Sequence, residues 1–352
     1  MIEILVNLHM HTRYSDGSGS HEDLARAAVR QGVDAILVTD HNIRVAAMER
    51  YYVENNRRVL ILVGEELHNR SALPQKNHLL VFGAGRELAP FAEDLQSLLH
   101  AARLAGGLCF VAHPVDPPAT AFHEPDISWE ANFTQEIAGL ELWNGFSELK
   151  AHLPTRLHGL FYAFFPRLMA QGPLPTALQL WDRLLRERSV VAIGGSDAHA
   201  LNMRAGPVRR TVFPYDYHFR AVNTHVLVDE SLSGVASQDA KAIYAALASG
   251  RCFIGYDLPA PTRGFRFVAH AAGVDAPMGS TVDVAGGATL HVWTPQNCEL
   301  LLLRNGRPVG STRHSQALTH RVVEPGTYRV EAYRRYAGRR RAWIISNPIY
   351  VS

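Results

Sequence analysis

Residues 2–17 read IEILVNLHMHTRYSDG. The apolar run IEILV comes first. His9 and His11 then follow one residue apart, and Asp16 and Gly17 close the stretch. Six more short runs of this kind occur downstream: DAILVT (34–39), RVLILV (58–63), HLLVF (78–82), GLCFVA (107–112), GLELW (139–143) and VVAIG (190–194). Most are continuously apolar, which is how strands buried on both faces of a parallel sheet read. Helical patterns lie between them. Ser20 with Asp23 forms a capping box for a helix that stops at Gly32. Further helices are expected over about 92–105 and 175–187, and one in SQDAKAIYAALASG ending at Gly250. Seven strand–helix repeats predict an α/β fold, a barrel of the TIM type, with an open doubly wound sheet as the alternative.

The texture changes from about residue 260. Asn305-Gly306 separates two strand-like segments and signals a two-residue hairpin. Turns at Pro325-Gly326 and Ala337-Gly338 follow, without any helical period. A small all-β, sandwich-like domain is expected over 259–352, after a barrel over 1–258, with the boundary between Pro259 and Gly264.

Composition narrows the class. The 352 residues carry a net charge of +2, which gives no general argument for nucleic acid or membrane binding. Lys76, Lys150 and Lys241 are the three lysines, so 32 of the 35 basic residues are arginine. Histidine is the outlier at 18, and neutral imidazole is the commonest metal ligand. Three dispersed cysteines with no CxxC argue against disulfides and thiolate metal sites. The N-terminus lacks a basic n-region and a long h-region, so no signal peptide is expected. The most apolar stretch, HGLFYAFFPRLMA (158–170), is too short to span a bilayer, and the expected location is the cytoplasm.

Polar residues gather at the ends of the apolar runs. They are His9, His11 and Asp16; Asp40 and His41 in VTDHN; Glu65 and Glu66; His78 opening its run; His113 in VAHP; and Asp197 and His199 in GGSDAH. A barrel enzyme builds its active site from such strand ends. In H-x-H on an extended segment both imidazoles point the same way and can reach one ion.

The motifs NLHMHTRYSDG, VTDHN, VAHP and GGSDAH together resemble the polymerase and histidinol phosphatase (PHP) family of metallohydrolases, over roughly residues 2–255. The resemblance implies a distorted (β/α)7 TIM-like barrel with two to three divalent ions, of which the donor set suits Zn, Mn or Fe. Carried over, one ion would sit on His9, His11 and Asp197, and a second on His78 and His113, with Glu66 bridging them. A third would sit on Asp16, His41 and His199. Spacing alone leaves Glu65 and Glu66 open; the family pattern G-x-E, read from Gly64, favours Glu66. Asp40 is expected beside the site, orienting an imidazole or bonding a nearby amide. His199 and Arg204 are candidates to serve the leaving group, with Arg220 and His225 behind them. Glu141 and Asn144 fall at the rim by position.

Three divalent ions against three carboxylates leave positive charge for an anion to balance. The expected function is therefore a phosphoesterase, with a hydroxide between two ions attacking in line. The substrate would be a small anionic molecule. The alternatives are hydrolysis of aryl ester, carbamate or amide bonds on the same metals, a nuclease-type phosphodiesterase, and a non-catalytic scaffold. The bridging carboxylated lysine of the amidohydrolases has no candidate among three lysines that avoid strand ends. RRYAGRRRAW (334–343) reads as a solvated hairpin before a polyanion site, so nucleic acid is not an expected partner. The aromatic insert at 146–172 is expected as a core helix or a lid, with Phe161, Phe164 or Phe165 near the pocket if a lid.

Overall fold

β1 (Ile2–Met10) is buried from Glu3 onward, as its unbroken apolar run requires. The computed structural model describes every residue except 206, 207 and 286, and the backbone alone at 204, 205 and 208. After β1 the order is α1 (His21–Gln31), β2 (Ala35–Val38), β3 (Arg50–Glu54), β4 (Arg57–Val63), β5 (Glu65–Leu67) and β6 (Leu79–Phe82). Next come α2 (Leu95–Leu104), β7 (Leu108–Val111), β8 (Ile137–Asn144), α3 (Gly145–Ala151), α4 (Arg156–Phe164), α5 (Pro175–Leu184) and β9 (Val191–Ala198). The fold is mixed α/β, with one large sheet and few helices. The capping box closes as expected: Ser20 accepts from the Asp23 amide and Asp23 from that of Ser20, while Gly32 ends α1.

β1 pairs in parallel with β2 and β9, β2 with β4, β7 with β8, and β8 with β9. β4 and β5 are separated by Gly64 alone. β6 departs from the uniformly parallel expectation, being antiparallel to both β5 and β7. The connection at 68–78 holds no helix, and a parallel return needs a crossover of about a dozen residues or more. Because β6 runs backwards, its first residues lie level with the last residues of its neighbours. Val6, Leu8, Leu37, Leu62, Phe82, Phe110 and Ile193 share one buried cluster inside this array.

The hairpin β10 (Leu201–Ala205) and β11 (Val208–Val212) follows, then α6 (Tyr215–His218), β12 (Val222–Val228), α7 (Ala236–Ala248) and β13 (Cys252–Tyr256). β12 pairs antiparallel with β1 and with β13, two strands the apolar runs did not signal. From 266 on, the described residues form strands only: β14 (Arg266–Ala271), β15 (Val274–Pro277), β16 (Thr281–Val282), β17 (Ala288–Arg304), β18 (Arg307–Val322), β19 (Gly326–Tyr336), β20 (Arg339–Ser346) and β21 (Ile349–Val351). Asn305 and Gly306, at φ 50° and 77°, make the expected hairpin turn between β17 and β18. β20 pairs antiparallel with β13, so the C-terminal strands continue the same sheet. Among the described residues, no helix is long and apolar enough to cross a membrane.

A buried polar knot ties these parts together. The Glu3 carboxylate on β1 accepts from His225 Nδ1 at 2.7 Å, from Arg266 at 2.6 Å and from the Gly264 amide at 2.9 Å. His225 Nε2 meets the Thr262 hydroxyl at 2.7 Å. His225 is therefore structural and does not serve a leaving group, while Arg220 faces solvent. Burial raises the Glu3 carboxyl, but His225 and Arg266 outweigh it and hold it below the ordinary 4.5. Burial lowers His225, but Asp257 and Glu3 outweigh it and hold it above the ordinary 6.5. The Glu3 share of stability is complete above pH 4.5 and is lost as pH falls through its lowered value. The His225 share is complete below pH 6.5 and is lost as pH rises through its raised value. Glu3→Gln should thus cost about 3 kcal/mol. In urea titrations the deficit should be largest between pH 4.5 and 6.5 and shrink on either side; a pH-independent deficit would sink this account.

Candidate metal centre

The strand ends converge on one carboxylate. Glu66 Oε2 lies 3.0 Å from His9 Nε2, 3.2 Å from His11 Nε2 and 3.2 Å from His41 Nδ1. Its Oε1 lies 2.7 Å from His78 Nδ1 and 2.9 Å from His113 Nε2. Side chains alternate along β5, so Glu65 turns the other way, accepts from the Leu88 amide at 2.9 Å, and is pushed up to about 7 by burial. His78 reaches the cluster because β6 is reversed.

Asp197 joins from the end of β9, its Oδ1 3.2 Å from His11 Nε2 and 3.4 Å from His9 Nε2. Asp16 stands at the rim, its side chain 55% exposed, 3.2 Å from His199 Nε2, 3.6 Å from His41 Nε2 and 3.6 Å from His11 Nδ1. Ligand atoms in each of three groups lie within 4.8 Å of one another: His9, His11, Glu66 and Asp197; Glu66, His78 and His113; and His11, Asp16, His41 and His199. The structure thus brings together all nine residues singled out as ligands in the sequence.

Local backbone choices place them. His9, His113 and Asp197 sit at φ 62°, 27° and 48°, in the left-handed region that non-glycine residues seldom occupy. Such strain collects at functional sites. The loop after β1 folds back so tightly that a Cβ on Gly17 would lie 2.1 Å from the His11 carbonyl oxygen. Asp40 holds that loop, accepting from the Thr12 amide, the Thr12 hydroxyl and the Ser15 hydroxyl, each at 2.7 Å. Both Asp40 oxygens thereby accept from this loop, through one amide and two hydroxyls. His199 donates from Nδ1 to the Asp197 carbonyl at 2.9 Å, so its Nε2 faces Asp16. The Arg204 side chain lies outside the described residues.

The donor set fits divalent ions. His11 Nε2, His41 Nδ1 and His113 Nδ1 are buried without a hydrogen-bond partner among the described residues. Two of these atoms face Glu66 at 3.2 Å without hydrogen-bond geometry, as nitrogens aimed at a shared ion would. Burial raises Glu66, but the charges of His9, His41 and His78 outweigh it and hold it well below the carboxylate range. Burial lowers His11 and His113, but their carboxylate neighbours lift them to about 10 and about 9. His41 is pushed down to about 3, by burial and by His11 and His78 nearby. Without a metal the cluster therefore carries protons on some imidazoles and not on others, and ions entering it must displace them.

Some features were not legible in advance. His68 stacks on His78 with ring centroids 4.3 Å apart, and its follow-on position after EEL was its one signal. Phe161, Phe164 and Phe165 are 44%, 54% and 54% exposed, whereas the aromatic ring against the cluster is Phe146, 5.5 Å from His199. Three of the five arginines of 334–343 have protein partners, while Arg335 and Arg339 are exposed. Arg341 is buried and donates to Leu168 and Ala170 carbonyls, Arg340 pairs with Glu299, and Arg334 lies over Trp343.

Comparison with known proteins gives one family match and several distant structural likenesses. No curated protein matches the chain. Among solved structures, a two-domain protein from Bacteroides vulgatus ATCC 8482, containing a predicted PHP-like metal-dependent phosphoesterase, is 15% identical with a TM-score of 0.44, covering 99% of this chain and 95% of its own. A candidate metal-dependent phosphoesterase from Bifidobacterium adolescentis ATCC 15703 is 14% identical with a TM-score of 0.33, covering 60% and 93%. An amidohydrolase from Chromobacterium violaceum, with bound sulfate and no metal, is 13% identical with a TM-score of 0.28, covering 59% and 89%. These likenesses are distant. The PHP-domain family model matches residues 7–169, which hold seven of the nine converging residues and leave Asp197 and His199 beyond the match. On that match, residues 7–169 are similar to the PHP domain.

Proposed function

We propose that the chain is a metal-dependent hydrolase of small phosphate esters. The observation that carries the reading is the convergence of six imidazoles and three carboxylates on three overlapping groups that share Glu66 and His11. In this reading His9, His11 and Asp197 hold one divalent ion and His78 and His113 a second, with Glu66 between them. Asp16, His41 and His199 hold a third. The ions would be Zn, Mn or Fe, which nitrogen and carboxylate donors accept. When bound, they supply Lewis-acid polarisation of a phosphoryl oxygen and lower the pKa of water. The chain's own part is to fix the donors, to orient His199 through its Nδ1–H, and to hold the loop of Asp16 through Asp40. The pairing circuit β1, β2, β4–β5, β6, β7, β8 and β9 is read as a distorted (β/α)7 TIM-like barrel over 1–258, with 259–352 as a sandwich-like β domain.

Glu66 stands where a bridging acid is needed, and Lys150 is ion-paired with Asp116, which speaks against a carboxylated-lysine centre. A second reading, hydrolysis of an aryl ester or carbamate, is favoured by one feature. Phe146, Leu149, Met169 and Phe213 form an apolar wall beside Asp197 and His199. The engagement of Arg334, Arg340 and Arg341 by protein partners weakens the case for a nuclease.

Two measurements test these readings. Metal-replete enzyme should turn over an aryl phosphate monoester in preference to a diester and to an aryl ester or carbamate, and His9→Ala should abolish turnover. Activity confined to the ester or carbamate would replace the first reading by the second, and an active His9→Ala enzyme would mean the wrong site. Separately, Zn(II) at about 100 times its Kd should stabilise the chain by about 2.7 kcal/mol, seen as a rise in Tm that chelator reverses. Glu66→Ala should lose most of that rise; an equal rise in both proteins would remove Glu66 from the centre.

A further inference from the structure

Two side chains outside the nine touch the three candidate ligands held in left-handed backbone, His9, His113 and Asp197. Glu141, on β8, is 1% exposed. Its two oxygens each lie 3.0 Å from His9 Nδ1, and Oε2 also accepts from the His113 amide at 3.0 Å. A carboxylate only accepts, so Glu141 holds a proton on His9 Nδ1; Nε2, 3.0 Å from Glu66 Oε2 and 3.4 Å from Asp197 Oδ1, is then the nitrogen an ion would take in place of a proton. Asn144 ends the same strand. Its Nδ2 donates to Glu141 Oε2 at 2.8 Å and to Asp197 Oδ2 at 3.2 Å. Its Oδ1 accepts from the Phe146 and Ser147 amides and caps α3, so the amide cannot rotate freely.

The opposite wall is cut to fit. A Cβ on Gly195 would lie 1.8 Å from Glu141 Oε1 and 2.9 Å from the His9 Cβ. The second glycine of GGSDAH thus makes room for a carboxylate beneath His9, an independent sign that this placement is built.

We propose that Glu141 and Asn144 are the positioning residues of the metal centre: Glu141 sets the His9 tautomer and anchors the His113 backbone, and Asn144 anchors Asp197. The inference rests on the assignment of His9, His113 and Asp197 as ligands. A carboxylate behind a ligating histidine orients the ring and raises its basicity, and losing it costs about 10- to 100-fold in metal affinity. In Glu141→Gln one oxygen can still serve the His113 and Asn144 donors. The new amide group then faces His9 Nδ1 and drives the ring proton to Nε2, the atom that should bind metal.

The test uses the full chain and Zn(II) alone. Stoichiometry and Kd come from competition with a chromophoric chelator, and the His9 tautomer from nitrogen-15 spectra of the histidine-labelled, Zn-loaded protein. Glu141→Gln should bind at least one Zn(II) about 10- to 100-fold more weakly than the unaltered chain, with an unchanged metal-free Tm and a lost Nδ1–H signature for His9. Asn144→Ser keeps a helix-capping oxygen but removes both donated bonds, and should weaken binding in the same direction. Unaltered Kd and tautomer in Glu141→Gln overturn the inference. If that variant does not fold, unaltered Kd in Asn144→Ser overturns it instead. An unaltered chain that takes up no Zn(II) would sink the ligand assignment itself, a result distinct from variants that bind as well as their parent.

Discussion

Glu66 is a carboxylate with almost no water around it and five imidazoles within 3.2 Å. A lone carboxylate in such a place would be costly and would take up a proton. Here it stays ionised because every direction it faces holds an imidazole that can carry charge or bind an ion. The remaining geometry follows from supplying those imidazoles. They come from β1, from the turn after β2, from the start of β6 and from the end of β7, and no single segment could present them at once.

The reversal of β6 follows from the same demand. In a uniformly parallel array the first residue of a strand lies at the far end from the site. Reversing one strand brings His78 to the near end, and the helix-free connection at 68–78 brings His68 with it. The left-handed backbone at His9, His113 and Asp197 serves the same end. Each turns its side chain inward where a regular strand would continue, and the surrounding hydrogen bonds from β8 hold that unfavourable geometry in place.

Much of this was legible in the sequence. Buried strands announce themselves as unbroken apolar runs, and the nine converging residues stand at the ends of those runs. His78 at the start of its run was the visible trace of the reversed strand, although the run alone does not state direction. The roles of Glu141 and Asn144 were not legible, because a carboxylate on a strand gives no hint of which histidine it meets 132 positions away. His225 was open in the sequence between a leaving-group role and structural pairing; it lies within β12, and its partner is Glu3 near the start of β1. The exposed phenylalanines of α4 and the inward-turned Arg341 of β20 show that composition marks a segment as apolar or basic without saying which way it faces.

The pairing of β13 with β20 bears on how the chain can be divided. Phe253 to Gly255 exchange backbone bonds with Ile344 to Ser346, and the Asn347 side chain bonds the Ala192 and Cys252 carbonyls. Arg341 reaches the Leu168 carbonyl and Trp343 that of Ala260. A chain cut after residue 258 would lose all of these and bare the outer edge of β13, with Phe253 and Ile254 behind it. An open edge of that kind recruits other strands. The C-terminal strands therefore work as an edge cover, and the two halves share one solubility as well as one sheet.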